Sequence, residues 1–233
     1  MSIRAMIFDL YGTLVDNFSK SAYENNLTRM AEVLGIPPNE FRKRWRDIYL
    51  QRVLGFCQSP EDCIVSTCKY FGVSVDTSQI EQAGQLRWDF VRASLQPRKD
   101  AIATLQTIKS TALKIALLSD CSTEIPRLWN ETAFAGIFDV TTFSCIEFVK
   151  KPEPKIYFRT AENLGVEPNE CIYVGDGGSF ELTGAQRVGM HPIRIRAPYE
   201  SEDSMRVDED PWTGTTISYL RELVKYINEL VAE

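Results

Sequence analysis

The sequence predicts an α/β protein in which helices cover both faces of a parallel sheet and an all-helical insert interrupts the core. Beyond Pro97, apolar strand-like runs alternate with helical patterns, which is typical of a parallel sheet between two helical layers. Before Pro97, apolar residues recur at helical spacing for about eighty residues. We therefore expect residues 1–15 and 97–233 to form a Rossmann-like three-layer core, and residues 16–96 to form a helical cap.

The first strand is predicted at residues 5–8, where four apolar residues run directly into Asp9 and a Gly-Thr turn. Ligands bind outside the carboxyl ends of the strands in open parallel sheets, and Asp9 would lie there. Gly12 would let the backbone approach a ligand closely. Taken alone, however, an apolar run followed by Asp and Gly is more often only a strand that enters a turn.

Helical patterns fill the insert, and each predicted helix has a recognisable start or end. The four helices are predicted at residues 27–34 before Gly35, 41–49 with an end near Gly55, 59–72 with proline at the first helical position, and 77–95 before Pro97.

Two groups of insert residues are candidates for contact with a ligand. The first is a basic cluster on the polar side of the second helix, made of Arg42, Lys43, Arg44 and Arg46 with Arg52. Such a cluster is more often a solvated face than a rim that attracts phosphate. The second group is Phe18, Phe41, Trp45, Arg46 and Tyr49. Aromatic residues at helical spacing are more often packing residues than pocket residues.

The core continues with further strands and the helices between them. The strands are predicted at residues 113–118, 138–143, 171–174 and 192–195, and the helices around residues 102–108, 124–130, 154–164 and 180–188. Residues 197–215 are polar and acidic and are interpreted as a surface loop. Residues 217–230, ending with Leu230, are predicted as an amphipathic helix that returns to the sheet.

Composition narrows the classes of function. The net charge of −6 disfavours nucleic acid as a partner, and no apolar run approaches the roughly 20 residues that a membrane span needs. The N-terminus lacks the pattern of a secretory signal, so we expect a cytoplasmic protein. With one histidine, His191, and no Cys-x-x-Cys pair, histidine metal sites and Ser-His or Cys-His relays are disfavoured. The six cysteines, at positions 57, 63, 68, 121, 145 and 171, are expected to be buried free thiols.

Polar residues follow three predicted core strands at one edge of the sheet. They are Asp9, the pair Ser119-Asp120, and Asp176, and Lys151 lies in the chain between the last two. Two carboxylates at one edge repel each other unless a cation lies between them, and oxygen ligands favour a magnesium-like ion. Lys151 would add positive charge, and Ser119 would donate to a phosphoryl oxygen. These residues together predict phosphoryl transfer through an aspartyl intermediate.

Four ordered motifs make the chain resemble the haloacid dehalogenase-like hydrolases that carry a helical cap. Residues 9–14, Asp-Leu-Tyr-Gly-Thr-Leu, resemble the first motif, and Ser119 resembles the second. Lys151 in Lys-Pro-Glu-Pro resembles the third motif, and Gly175-Asp176 through Glu181 resembles the fourth. The order and spacing agree over nearly the whole chain.

The resemblance implies that Asp9 is the nucleophile, and that Asp9, Asp176 and the backbone carbonyl of Tyr11 hold Mg²⁺. It also implies a small phosphorylated metabolite as substrate, bound by Thr13, Ser119, Asp120 and Lys151. For Glu181 two interpretations are open. It supports the site through water or Lys151, or it is a solvated residue in the first turn of a helix. No oligomeric state is predicted.

Tyr11 departs from the pattern of the family's phosphatases, which have at this place an aspartate that protonates the leaving group. Such an acid is typically worth about 10²–10⁴-fold in rate. Asp16 and Asp120 are candidate substitutes. Without one, we expect the enzyme either to work slowly on alkyl phosphates or to prefer esters with good leaving groups, such as acyl or aryl phosphates.

Tyrosine at this place resembles the 2-haloacid dehalogenases, in which the same aspartate attacks carbon. Those enzymes work without metal and lack the Gly-Asp motif found here at residues 175–176. We therefore prefer a magnesium-dependent phosphatase and keep the dehalogenase as the second hypothesis. A binding or regulatory protein with weak turnover is the third.

Overall fold

The computed structural model describes residues 3–231, with side chains up to residue 227, and a parallel sheet forms the centre of this range. Its six strands are β1 (Ala5–Phe8), β2 (Lys114–Ser119), β3 (Val140–Phe143), β4 (Cys171–Gly175), β5 (His191–Ile195) and β6 (Thr216–Ile217). They form one sheet in the order β3-β2-β1-β4-β5-β6. Phe8, in the central strand, pairs with Leu117 of β2 and Val174 of β4. The carboxyl ends of these three strands therefore lie at one edge of the sheet.

The same described range contains eleven α-helices. They are α1 (Lys20–Leu34), α2 (Pro38–Asp47), α3 (Tyr49–Val53), α4 (Pro60–Phe71), α5 (Thr77–Ser94), α6 (Ala101–Lys109), α7 (Glu124–Leu128), α8 (Ser144–Glu147), α9 (Pro154–Leu164), α10 (Glu181–Arg187) and α11 (Glu222–Val231). The predicted α/β class is confirmed, and the stretch between β1 and β2 is helical as expected.

Alternate residues of β1 belong to two hydrophobic clusters, which shows that the sheet is covered on both faces. Met6 and Phe8 pack in one cluster with residues of α6 and α11. Ala5 and Ile7 pack in the other with residues of α9 and α10. An uninterrupted apolar run is the expected sequence of a strand buried in this way. The three-layer core predicted from the sequence is therefore confirmed.

The insert has a hydrophobic core of its own. Leu27, Phe41, Trp45 and Ile64 are fully buried there, in a cluster separate from the two that cover the sheet. Phe41 and Trp45 are thus packing residues, as the helical spacing favoured. The division into residues 1–15, 97–233 and 16–96 stays a prediction.

Several elements differ from the sequence-based expectation. The second insert helix is broken at Ile48 into α2 and α3, and the buried Arg52 side chain donates a hydrogen bond to the carbonyl of Trp45. A helix end leaves its last carbonyls without partners, and this guanidinium satisfies one of them. Ile217 lies in β6 and not in the closing helix, which begins at Glu222. The side chain of Leu230 lies outside the described residues.

The prediction of free thiols is wrong for two cysteines. Cys57 and Cys63 form a disulfide. The start of α4 at Pro60 turns the chain back, and this brings the two Cα atoms to 5.6 Å. Cys68, Cys121, Cys145 and Cys171 are free and buried, as expected. Disulfides persist mainly in oxidising compartments, and the cytoplasmic location stays a prediction. No helix within residues 3–231 combines the length and the apolar character needed to cross a bilayer.

Candidate active site

The two aspartates that end β1 and follow β4 converge at the carboxyl edge of the sheet. Asp9 is 6% exposed and Asp176 is 3% exposed. Carboxylate oxygens of Asp9, Asp176 and Glu181 all lie within 4.8 Å of one another. Gly12 makes this approach possible, because a Cβ at that position would overlap the carboxylate of Asp176. Its φ of 79° is also one that glycine adopts readily.

Lys151 lies between two of these carboxylates. Its Nζ is 2.5 Å from Asp9 Oδ1 and 2.5 Å from Glu181 Oε2. Glu181 Oε2 also accepts a hydrogen bond from the hydroxyl of Tyr173 at 2.7 Å, and Oε1 accepts one from the backbone of Gly177 at 2.9 Å. Since Glu181 is only 1% exposed, it is not a solvated residue of the helix. Its contacts fix the ammonium group of Lys151 against Asp9.

The charges of this site are incompletely balanced. Burial raises the pKa of Asp9 to about 6. The negative charge of Asp176 adds to this rise, and the positive charge of Lys151 opposes it. Burial and the charge of Asp9 raise the pKa of Glu181 to about 8. The pKa of Lys151 lies well above its usual value, because the two carboxylates outweigh the effect of burial. Carboxylates that share too few cations hold their protons more tightly.

Asp176 behaves differently because a second cation contacts it. Its Oδ2 accepts hydrogen bonds from Arg206 Nε and Asn17 Nδ2, both at 2.8 Å, and its Oδ1 accepts one from the backbone of Gly178 at 2.9 Å. Although burial opposes ionisation, Arg206 and these hydrogen bonds lower the pKa of Asp176.

Arg206 comes from residues 197–215, which we call the strap. The sequence predicted a surface loop here, but the side chain of Arg206 is only 11% exposed. The strap is bonded to the start of the insert: the carbonyl of Asp203 accepts from the backbone of Lys20, and the backbone of Met205 donates to the carbonyl of Phe18, both at 2.8 Å. The strap therefore contacts both Asp176 and the first residues of the insert.

A cavity of about 550 Å³ opens between the sheet edge and the insert. From the sheet side it is lined by Asp9, Asp120, Lys151, Asp176 and Glu181, and from the insert by Phe18, Tyr23, Arg46, Tyr49, Arg52 and Arg87. Of the five insert candidates singled out from the sequence, Phe18, Arg46 and Tyr49 lie in this lining. The remaining two are the core residues Phe41 and Trp45.

Two predicted substrate-binding residues lie beneath the cavity surface. Thr13 is completely buried, and its hydroxyl donates to Asp9 Oδ2 at 3.2 Å. Ser119 is the last residue of β2 and is 1% exposed. Their contact with a substrate, like that of Asp120 and Lys151, stays a prediction.

Of the two candidate substitutes for the missing aspartate, Asp16 and Asp120, only Asp120 lines the cavity. The Tyr11 hydroxyl is hydrogen-bonded to Ser94 Oγ at 2.9 Å, and burial raises the pKa of this phenol above its usual value. Asp16 is paired with Arg98, its side chain is 67% exposed, and it lies outside the cavity lining. Asp120 does line the cavity, where its Oδ1 accepts from the backbone of Lys151 at 3.0 Å.

Three arginines of the site were not identified by the sequence analysis. Arg52 was grouped with a solvated basic face, but it is 6% exposed; Arg87 is 4% exposed and was not considered. Arg206 lies in a polar stretch that resembled an ordinary loop. Arg87 lies on the same face of α5 as the apolar Ala83 and Val91, four residues before and after it, and this was the one available signal.

A family model described as haloacid dehalogenase-like hydrolase matches residues 3–189. Among curated proteins, a glyceraldehyde 3-phosphate phosphatase of Methanopyrus kandleri is 33% identical over 144 residues. The match covers 60% of this chain and only 60% of that relative's length. An (S)-2-haloacid dehalogenase of Pseudomonas putida is 27% identical over 195 residues, which cover 80% of this chain and 83% of the relative.

Solved structures support the same fold. The L-2-haloacid dehalogenase of Xanthobacter autotrophicus with covalently bound chloropropionic acid has a TM-score of 0.64 and 20% identity, with coverage of 97% of this chain and 98% of that one. A haloacid dehalogenase-family enzyme of Bacteroides thetaiotaomicron in complex with magnesium and inorganic phosphate has a TM-score of 0.63 and 18% identity, with coverage of 86% and 98%. At these identities the likeness concerns the fold alone.

Proposed function

Since the chain belongs to the haloacid dehalogenase-like hydrolases, we propose that it is a Mg²⁺-dependent phosphatase of a small phosphorylated metabolite. The observation that carries this proposal is the convergence of Asp9, Asp176 and Lys151 at one sheet edge, facing a cavity. Phosphatases among the similar proteins, such as that of Methanopyrus kandleri, support it.

In the proposed reaction, a carboxylate oxygen of Asp9 attacks phosphorus and the ester oxygen departs. Water then hydrolyses the aspartyl-phosphate and regenerates Asp9. The ammonium group of Lys151 offsets negative charge on the transferring phosphoryl group, and Glu181 with Tyr173 holds that ammonium in place. Ser119 and Thr13 would add hydroxyl donors at the base of the cavity.

The donor set fits a divalent cation. Asp9 and Asp176 would hold Mg²⁺ together with the backbone carbonyl of Tyr11, and hard oxygen donors of this kind are what Mg²⁺ prefers. Burial is the main cause of the raised pKa values of Asp9, about 6, and Glu181, about 8, and the neighbouring carboxylates add to it, so a cation between these groups would be stabilised. When bound, the ion would screen the approach of an anionic substrate to Asp9. Arg206 would have to leave Asp176 Oδ2 to free that oxygen.

The missing acid determines which esters react well. The partly buried phenol of Tyr11 is hydrogen-bonded to Ser94 and its pKa is raised above its usual value, so we do not expect it to protonate a leaving group. We therefore expect rates to fall steeply across a series of aryl and alkyl phosphates as the leaving-group pKa rises. Fast turnover of an ordinary sugar phosphate, with rates independent of leaving-group pKa, would contradict this expectation.

Haloacid dehalogenation is the second candidate function, and two observations favour it. A departing halide needs no proton, so a tyrosine can stand at position 11 in place of an acid. Arg206 already supplies a cation to Asp176, so no metal ion is needed to balance that carboxylate. In that reaction Asp9 would attack carbon and release halide. The dehalogenase of Pseudomonas putida is among the similar proteins.

One assay distinguishes the two candidates: incubate the protein with an aryl phosphate and with L-2-chloropropionate, each with Mg²⁺ or with chelator. We expect phosphate release that disappears with chelator. Chelator-insensitive halide release would replace the first proposal by the second. If neither substrate is hydrolysed and Mg²⁺ binds tightly, a regulatory protein would be favoured.

A calorimetric titration tests the metal independently of turnover. Arg206→Gln removes the cation that competes at Asp176, so we expect this variant to bind Mg²⁺ more tightly than the wild type. Arg221→Gln, outside the cavity lining, is the matched control and should bind as the wild type does. Failure of Mg²⁺ to bind either the wild type or Arg206→Gln would contradict the metal assignment.

A further inference from the structure

We propose that the insert side of the cavity binds a carboxylate of the substrate between the guanidinium groups of Arg52 and Arg87. The inference rests on the proposed phosphatase function and adds a substrate class to it: a phosphate monoester that also carries a carboxylate. The phosphoryl group would lie at Asp9 and Lys151, and the carboxylate at the two arginines.

Arg52 and Arg87 come from different helices, α3 and α5, and face the same cavity. Tyr23 is adjacent to both. Arg52 Nη2 lies 3.5 Å from the Tyr23 hydroxyl, and the guanidinium carbon of Arg87 lies 5.7 Å from the centre of the Tyr23 ring. Both arginines are more than nine-tenths buried. They form a defined pair of cations rather than a mobile surface patch.

The pair has one positive charge in excess. Arg87 Nε donates to Glu124 Oε1 at 2.8 Å, whereas its Nη1 is buried and has no hydrogen-bond partner among the described residues. The groups that accept from Arg52, the Trp45 carbonyl and the Tyr23 hydroxyl, are both uncharged. Burial and the nearby Arg87 lower the pKa of Arg52.

A buried charge without a counter-ion is costly, and a purely structural position could be filled by a neutral side chain at no such cost. Arg52 also lies over the Trp45 ring, with its guanidinium carbon 4.7 Å from the ring centre, but neither this contact nor the Trp45 carbonyl supplies a negative charge, and an anionic ligand would. One excess positive charge matches a monoanion, and the planar fork of a guanidinium pairs with both oxygens of a carboxylate. The apolar lining residues Phe18, Val91 and Ile125 suit a short hydrocarbon portion of the same molecule.

The test uses phosphooxyalkanoates of increasing chain length, each measured beside its primary amide. With Arg52→Gln, we expect KM for the preferred carboxylate ester to rise about 10- to 100-fold, the range for a lost charge-assisted hydrogen bond. KM for the matching amide should stay within about twofold of the wild-type value. Arg52→Lys keeps the charge and should recover part of the loss. Arg92→Gln, in the same helix as Arg87 but outside the cavity lining, is the control and should change neither KM.

A structural role for Arg52 makes different predictions. Arg52→Gln would then raise KM for the carboxylate ester and for its amide by the same factor, and that result would overturn the inference. We expect the rise in KM to be confined to the carboxylate ester; the melting temperature does not separate the two roles, because the variant removes both a buried charge and the hydrogen bond to the Trp45 carbonyl. Preference for a second phosphate over a carboxylate would also overturn it.

Equilibrium binding separates this inference from the proposed function. If the wild type hydrolyses no phosphate ester, the proposed function fails. Even then, the affinity of the wild type and of Arg52→Gln for glutarate, a dicarboxylate without a phosphate, can be measured by titration, and this tests the carboxylate site at the arginines. Binding that weakens about 10-fold or more in the variant would support the carboxylate site, and equal or undetectable binding in both proteins would overturn it.

Discussion

The two sides of the cavity carry opposite charge imbalances. At the sheet edge, the three buried carboxylates of Asp9, Asp176 and Glu181 share two cations, Lys151 and Arg206. At the insert side, Arg87 pairs with the carboxylate of Glu124, whereas Arg52, also buried, has no carboxylate partner. The sheet side therefore carries an excess of negative charge, and the insert side an excess of positive charge. A substrate with two anionic groups, bound beside a metal ion, would balance both.

The largest effect is expected at the sheet edge. Asp9→Asn replaces the proposed nucleophile by a neutral amide of the same shape, so hydrolysis should fall by about 10⁴-fold or more. Single-turnover phosphate release measures this loss. Asp47→Asn, an exposed position in α2, is the control. Residual activity within tenfold of the wild type, roughly 1.4 kcal/mol, would remove Asp9 from the mechanism.

Glu181→Gln should have the next largest effect. The amide cannot accept hydrogen bonds at both ends, so Lys151 loses the partner that fixes it against Asp9. We expect kcat to fall by about 10- to 100-fold, the usual consequence when the support of a site residue is lost. Glu32→Gln, at an exposed position of α1, serves as control. An unchanged kcat would show that Lys151 does not need this support.

On the insert side the effect should appear in stability first. Arg87→Gln leaves Glu124 buried and unpaired, which costs about 3–5 kcal/mol in the free energy of unfolding. The double variant Arg87→Gln/Glu124→Gln leaves no such charge and should recover most of this loss. Urea unfolding measures both. A double variant as unstable as the single one would show that packing, and not charge, is responsible.

The pH dependence follows from the same ion pair. Arg87 lowers the pKa of Glu124 in the folded protein, although burial opposes this. The pair therefore stabilises the fold above the unfolded-state pKa of about 4.3, and this contribution disappears as pH falls below that value. The double variant should lack this part of the acid sensitivity.

The smallest effect is expected at Tyr11, which lies between the two sides. Its hydroxyl bonds to Ser94 and its pKa is raised, so Tyr11→Phe should keep kcat within about threefold. The lost hydrogen bond should cost about 1 kcal/mol in the free energy of unfolding. A large loss of kcat would show that the Tyr11 hydroxyl takes part in the reaction. The cavity could then not be described by its two charged sides alone.

The sheet edge was more predictable from the sequence than the insert, and the reason is physical. Asp9 and Asp176 each follow an apolar run, and parallel strands bring such positions together whatever the rest of the chain does. Arg52 gave no such signal, because its direction depends on a helix break at Ile48 that periodicity does not reveal. Arg206 reaches Asp176 from a segment without regular structure. Cys57 and Cys63 required the turn before α4 to be known.

The strap links two events that would otherwise be separate. Asp203 is bonded to Lys20 at the start of α1, and Met205 is bonded to Phe18 just before it. The next residue, Arg206, is bonded to Asp176. Swinging α1 away from the sheet must either break these bonds or pull the strap along. A movement of α1 that opens the cavity would therefore also pull Arg206 away from Asp176, the second of the two proposed metal ligands.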